Sequence, residues 1–194
     1  EKIRQGFNDQ LKQHMTVISN PISIPRGIIK PEVDSNSSRK VILSVGRLVF
    51  QKDHKTLIDA YAMLADEFPE WDLKIFGDGE LRVKLEFQIK NLKLQKRIQL
   101  SGTIPDVAEE FMRAQIFVVP SLYESFGLAT AEALVSGLPV VGFADCPGTN
   151  ELIKHDHNGI LVSGSQRVVA LADGMKDLMS SSKLRERFGG AGPD

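Results

Sequence analysis

One cysteine in 194 residues, Cys146, excludes an internal disulfide, and that scarcity suits a reducing, cytosolic setting. The four histidines supply no recognisable metal-ligand spacing, and no D-x-D pair follows a candidate strand. No apolar run approaches the roughly 18 residues of a membrane-spanning helix. Excess charge of one sign is missing too: 24 Lys+Arg stand against 25 Asp+Glu, a net charge of −1. The whole molecule therefore has no general attraction for nucleic acid or an anionic membrane, and any anion it binds must be held locally. Also absent is G-x-G-x-x-G, because "SVGRLVFQKDHKTL" lacks the second and third glycines in their places. Its absence argues against a dinucleotide-dependent oxidoreductase.

What is present is a globular share of apolar residues, 42%, arranged in short β-rich runs. "VILSVG", "WDLKIFG", "RIQLSG", "IFVVPS", "PVVGF" and "GILV" are each four to seven residues long and alternate with helical patterns from residue 41 onward. In "HKTLIDAYAMLADEF", Leu57, Tyr61, Leu64 and Phe68 recur at three- and four-residue steps, the period of a helix with one apolar face. Continuous apolar strands separated by helices predict a doubly wound α/β domain, with a parallel six-stranded sheet and helices on both faces. Ahead of it, "MTVIS" at residues 15–19 reads as a strand and residues 21–40, rich in Pro, Ser and Asn, as a linker. The start at Glu1 and the ending "FGGAGPD" suggest a piece of a longer protein.

In doubly wound domains ligands bind beyond the carboxyl ends of the strands. Arg47 and Lys52 follow the first run, Gly77 to Glu80 ("GDGE") the second, and "SLYESFG" the fourth. Arg47 and Lys52 suit a diphosphate, the first by bidentate hydrogen bonds and the second as a point charge, although a lone basic pair is more often a solvated face. Gly77 lets a backbone approach a ligand closely, although such a turn also simply ends a strand. A helix starting near Phe126 or Gly127 offers free amides at Phe126, Gly127 and Leu128, an anion site favoured by the helix dipole. Glu132 shares one side of that helix with Leu128, Ala131 and Val135, which predicts a carboxylate on an apolar stripe inside the domain. Pairing with a buried arginine or capping a neighbouring helix would explain Glu132 as well. Glu124, eight positions earlier, can be an ordinary loop acid.

Together "VGRLVFQKDHKTLIDAY", "KIFGDGELRVKLE", "IQLSGTIPD", "IFVVPSLYESFGLATAEALVSGLPVVGF" and "NELIKHDHNGILV" resemble the C-terminal, nucleotide-sugar-binding half of the retaining glycosyltransferases of family 4. The likeness covers residues 15–188 and includes the E-x7-E hallmark, Glu124 and Glu132, with the G-R…K pair, Arg47 and Lys52. It implies the Rossmann-like half of a GT-B fold, with residues 41–194 as the donor domain and residues 1–20 as a remnant of the acceptor-side domain. It further implies that Glu132 accepts hydrogen bonds from the nucleotide ribose, that Glu124 meets the transferred sugar, and that Arg47, Lys52 and the Phe126 to Leu128 amides stabilise the leaving diphosphate. Thr103 and Ile104 would lie near the base. The donor would be a nucleotide-diphosphate sugar, with a UDP-sugar among the candidates, and no metal or cofactor would be needed. A glycan or lipid-linked acceptor would be held by the missing half, which could also touch the inner face of a membrane, and the fragment alone would not transfer. A GT-B epimerase, a pyridoxal-dependent phosphorylase and a non-catalytic nucleotide-sugar sensor are the alternatives. Asp53 departs from the resemblance, standing where Gly or Asn is frequent, and Glu80 stands where Pro is frequent.

Overall fold

The computed structural model describes residues 39–192. The strand expected at 15–19, the remnant at 1–20 and the linker, apart from Arg39 and Lys40, lie outside these residues. All six apolar runs are strands: β1 (Lys40–Val45), β2 (Trp71–Phe76), β3 (Ile98–Leu100), β4 (Ile116–Val119), β5 (Val140–Phe143) and β6 (Gly159–Val162). They form one sheet in the order β3-β2-β1-β4-β5-β6, and every neighbouring pair is parallel.

Between the strands run α1 (His54–Leu64), α2 (Arg82–Asn91), α3 (Ala108–Arg113), α4 (Leu128–Val135) and α5 (Thr149–Leu152), and the chain closes with α6 (Arg167–Ser180) and α7 (Ser182–Ala191). Successive strand residues face opposite sides of a sheet, so β4 and β5 are apolar throughout to fill two cores, while β2, nearer the sheet edge, carries Asp72 and Lys74 at half-buried positions. On one side Ile42, Val118 and Val141 pack with Leu57, Tyr61, Trp71, Met175 and Phe188. On the other, Leu43, Phe117, Val119 and Val140 pack with Phe111, Leu134 and Ile153. Tyr61 enters its core without leaving a polar atom unsatisfied, because its hydroxyl donates to the Trp71 carbonyl at 2.6 Å. Helix α6, late in the chain, packs against α1 near its beginning.

The strand order reverses between β1 and β4. There the connections leave in opposite directions and a crevice opens at the carboxyl ends of the two strands. The loops that follow β1 and β4 are its walls.

Candidate active site

The first wall is fastened backbone to backbone. Gly46 N–H donates to Phe76 O at 2.9 Å, Leu48 N–H to Asp78 O at 2.9 Å, and Leu81 N–H to Leu48 O at 3.0 Å. The approach is so close that a Cβ on Gly77, whose φ is 138°, would stand 2.0 Å from Gly46 O, and one on Gly79 would stand 2.6 Å from Leu48 O. Glycine is thus required by sterics at Gly77, which lines the deeper part of the crevice with Thr103, Ile104 and Pro105. That part encloses about 260 Å³ and meets a larger cleft of about 590 Å³, both lined by Val45, Gly46 and Arg47. Arg47 is exposed and makes no ion pair with another described residue, so its guanidinium keeps its donors for a ligand.

The second wall follows β4 and is held mainly by side chains. Lys52 Nζ, from the first wall, donates to Glu124 Oε1 at 2.5 Å, and Ser121 Oγ donates to the same oxygen at 2.7 Å. The second carboxylate oxygen of Glu124 makes no bond among the described residues. An ammonium has three donors, so Lys52 also retains capacity. Gln51 Nε2 donates to Tyr123 O at 2.8 Å, and Leu122 N–H donates back to Gln51 O at 2.9 Å. Behind the wall, a Cβ on Gly148 would stand 2.5 Å from Glu124 O.

Helix α4 begins at Leu128, with Gly127 as its N-cap in the left-handed region at φ 85° and no side chain capping it. None of the amides from Ser125 to Thr130 donates to a described carbonyl, and the first to do so is Ala131, to Gly127 O at 3.0 Å. The free donors expected at Phe126, Gly127 and Leu128 therefore extend to Ser125 on one side and to Thr130 on the other. Thr130 adds a buried hydroxyl without a hydrogen-bond partner among the described residues.

Glu132 lines the large cleft with Leu128, one turn apart on the same side. The buried face of α4 is instead Thr130, Ala131, Ala133 and Leu134, which corrects the expectation that Glu132 lies on an apolar stripe inside the domain. It is half-buried, and its carboxylate makes no hydrogen bond or ion pair with a described residue. Burial first, and the like charge of Asp106 second, raise its pKa above the ordinary value of 4.5. His54, at the start of α1, is buried, and desolvation, with the Lys52 charge adding to it, lowers its pKa to about 4. It is a neutral ring at physiological pH. Among the described residues no three His, Cys, Asp or Glu side chains gather as a metal site would need.

Arg167 and Asp53 carry more than sequence reasoning assigned them. Asp53 adopts φ 46°, ψ 38° as the N-cap of α1; its left-handed backbone explains why glycine or asparagine would be at home there. Its carboxylate lies 3.5 Å from Arg167 Nε. Arg167 also donates through Nη2 to Pro120 O at 3.1 Å, through Nη1 to Asp145 at 3.3 Å, and lies 3.5 Å over the Phe143 ring. One guanidinium thus ties the residue after Lys52 to the loop carrying Ser121 and Glu124. Nothing in the sequence around Arg167 signals this.

An α/β domain of this strand order, with unspent amides at a helix start beside its switch point, has the Rossmann-like architecture of one half of a GT-B fold. The chain belongs to the glycosyl transferases group 1 family, whose model matches residues 25–194. It is 32% identical over 97% of its length to the exopolysaccharide phosphotransferase SCO2592 of Streptomyces coelicolor. It is equally 32% identical, again over 97% of its length, to the N-acetylgalactosamine-N,N'-diacetylbacillosaminyl-diphospho-undecaprenol 4-alpha-N-acetylgalactosaminyltransferase of Campylobacter jejuni. It spans 20% and 50% of those two proteins. Among solved structures, the pneumococcal O-GlcNAc transferase GtfA in complex with UDP and GlcNAc matches with a TM-score of 0.73 and 30% identity, over 87% of this chain and 35% of that one.

Proposed function

We propose that this chain is the donor-binding half of a retaining glycosyltransferase that moves a sugar from a nucleotide-diphosphate sugar, a UDP-sugar in the first instance, to a glycan or lipid-linked acceptor. The observation that carries this reading is the juxtaposition, at the switch point, of an unpaired Arg47 with the unspent amides of residues 125–130 and the Lys52–Glu124 pair. Each group has spare capacity of the sign that the donor requires. A relative whose name specifies a diphospho-undecaprenol acceptor and a structural neighbour holding UDP support the substrate classes.

In this reading the ribose meets Glu132 and the base enters the recess at Gly77, Thr103 and Ile104. The diphosphate lies against Arg47, Lys52 and the start of α4. The hexose hydroxyls donate to the free oxygen of Glu124. As the anomeric C–O bond breaks, its electron pair passes to the diphosphate oxygen. Fixed cations and amide dipoles lower the energy of that charge without reorganising, and the acceptor hydroxyl attacks from the same face, surrendering its proton to the departing diphosphate oxygen. The chain's own groups supply this stabilisation with no metal or cofactor. The acceptor is positioned by the domain outside this chain, a contribution of about 7–11 kcal/mol, so the 194 residues bind donor but do not transfer.

Calorimetry of the chain with UDP, GDP, ADP and their sugar conjugates, beside inorganic pyrophosphate, tests donor binding. One nucleoside diphosphate should bind at least tenfold more tightly than pyrophosphate, and no preference would end the reading. The anomeric configuration of the product of the full-length enzyme, read by NMR, tests retention.

A further inference from the structure

Helix α2 has an outward surface that neither the cores nor the cleft uses. Residues 83–97 hold four lysines and one arginine against a single acid, in a chain whose net charge is −1. The acid, Glu86, is bonded to Arg82 at 3.0 Å, and Arg97 is bonded to Asp72 at 3.0 Å. Lys84, Lys90, Lys93 and Lys96 are exposed and form no ion pair with a described residue. Among these lysines stand Val83 and Phe87, one turn apart and 75% and 65% exposed, while Leu85 and Ile89 on the opposite side are buried. Helical spacing puts Lys84 and Lys90 on either side of the Val83–Phe87 pair. Leu92, 38% exposed, continues the apolar surface past the helix end.

An exposed phenylalanine ringed by unpaired lysines asks for two things at once: an apolar phase and negative charge beside it. An acidic protein would need a matching pocket to supply the first. The boundary of an anionic bilayer supplies both without shape complementarity, because apolar side chains enter the acyl edge while lysines reach up to the headgroups. We propose that this face of α2 docks on an anionic phospholipid bilayer. The contact lies on the donor-binding half itself, not only on the missing half. Because Leu81 N–H is bonded to Leu48 O, the start of α2 is fixed to the first wall of the cleft, and docking sets the orientation of the cleft to the surface. The proposal rests on this face alone and stands whether or not the chain takes a nucleotide sugar.

The test is sedimentation of the 194-residue chain with vesicles of phosphatidylcholine alone or with about one third phosphatidylglycerol. Each lysine near such a surface is worth about a fivefold gain in partitioning. The chain should bind only the anionic vesicles, less so as salt rises from about 0.05 to 0.3 M. The Lys84→Glu, Lys90→Glu double variant should lose more than tenfold, and Phe87→Ser should weaken binding while the unfolding midpoint stays unchanged. A gain of signal gives an independent reading: a tryptophan in Phe87→Trp should be quenched by bromine-labelled lipid, whereas the native Trp71, fully buried, should not. Absent binding, equal binding to neutral vesicles, full binding by the charge-reversed variant, or an unquenched tryptophan on bound protein would each overturn the proposal.

Discussion

The two walls of the cleft are built on opposite plans. After β1 the backbone spends its own donors, on Phe76, Asp78 and Leu48, and two glycines let the strands' extensions touch. The result is a rigid surface with few donors left. After β4 the amides of residues 125–130 remain unspent, and the loop ahead of them is positioned by Lys52, Ser121, Gln51 and Arg167 side chains together with the Leu122 and Glu124 amides. Its donors are free because side chains take over the structural work. Rigidity and ligand-binding capacity compete for the same backbone groups, and this domain assigns one to each wall.

The comparison breaks most sharply at Gly77. Gly77→Ala forces a Cβ against Gly46 O at 2.0 Å in a φ of 138°, and should cost roughly 4 kcal/mol or more, enough to unfold a domain. Chemical denaturation measures it, and a cost under about 1 kcal/mol would show that the first wall yields. Next in size is a kinetic effect: Lys52→Ala or Arg47→Ala in the full-length enzyme should raise the barrier for kcat by about 2–4 kcal/mol with a smaller change in KM, as expected for groups whose anionic partner gains further charge as the bond breaks. Unchanged kcat in both would remove them from the chemistry.

Acid should separate the walls by sign. His54, beside the first, has a folded pKa of about 4 against 6.5, so the unfolded chain takes the proton first. The stability it permits is complete above pH 6.5 and falls as pH drops toward 4, by up to about 3 kcal/mol. His54→Gln should flatten that slope in a series of urea titrations. Glu132 behaves in the opposite sense, because its folded pKa is raised: its contribution is most favourable below pH 4.5 and declines as pH rises through the folded value. Glu132→Gln should therefore leave the empty chain slightly more stable at pH 7, by less than about 1 kcal/mol after allowance for solvent screening. The same change should weaken nucleoside diphosphate binding, and a chain destabilised at pH 7 by the substitution would contradict an unpartnered carboxylate.

Strands were most legible where both faces are covered: "IFVV" and "VVGF" hold no polar residue and are buried at every position. Arg47, Lys52, Glu124 and Glu132 were legible as a spaced set, and the structure brings all four to one cleft with Phe126, Gly127 and Leu128, and Gly77 and Ile104 to the adjoining recess. The face on which Glu132 sits was not legible. "LATAEALV" is apolar nearly all round, so its periodicity selects no side. Arg167 was equally hidden, since it lies 46 residues or more from the Pro120–Ser121 carbonyls it holds, and a lone arginine opening a helix looks like any solvated charge. Asp53 showed itself as a departure from the resemblance, and only its left-handed backbone gives the reason.

The bond between Arg167 and the loops far upstream also bears on how the protein is made. Residues 40–81 can assemble the first wall from contacts close in sequence as soon as they leave the ribosome. The second wall waits for α6, which both packs on α1 and delivers the guanidinium to Asp53 and Pro120. Contacts of such sequence separation form late, and nascent domains fold as units from the N-terminal side. The cleft is therefore among the last features to be completed during synthesis, and a chain released before residue 167 would carry every residue of the E-x7-E motif without the clamp that holds them in place.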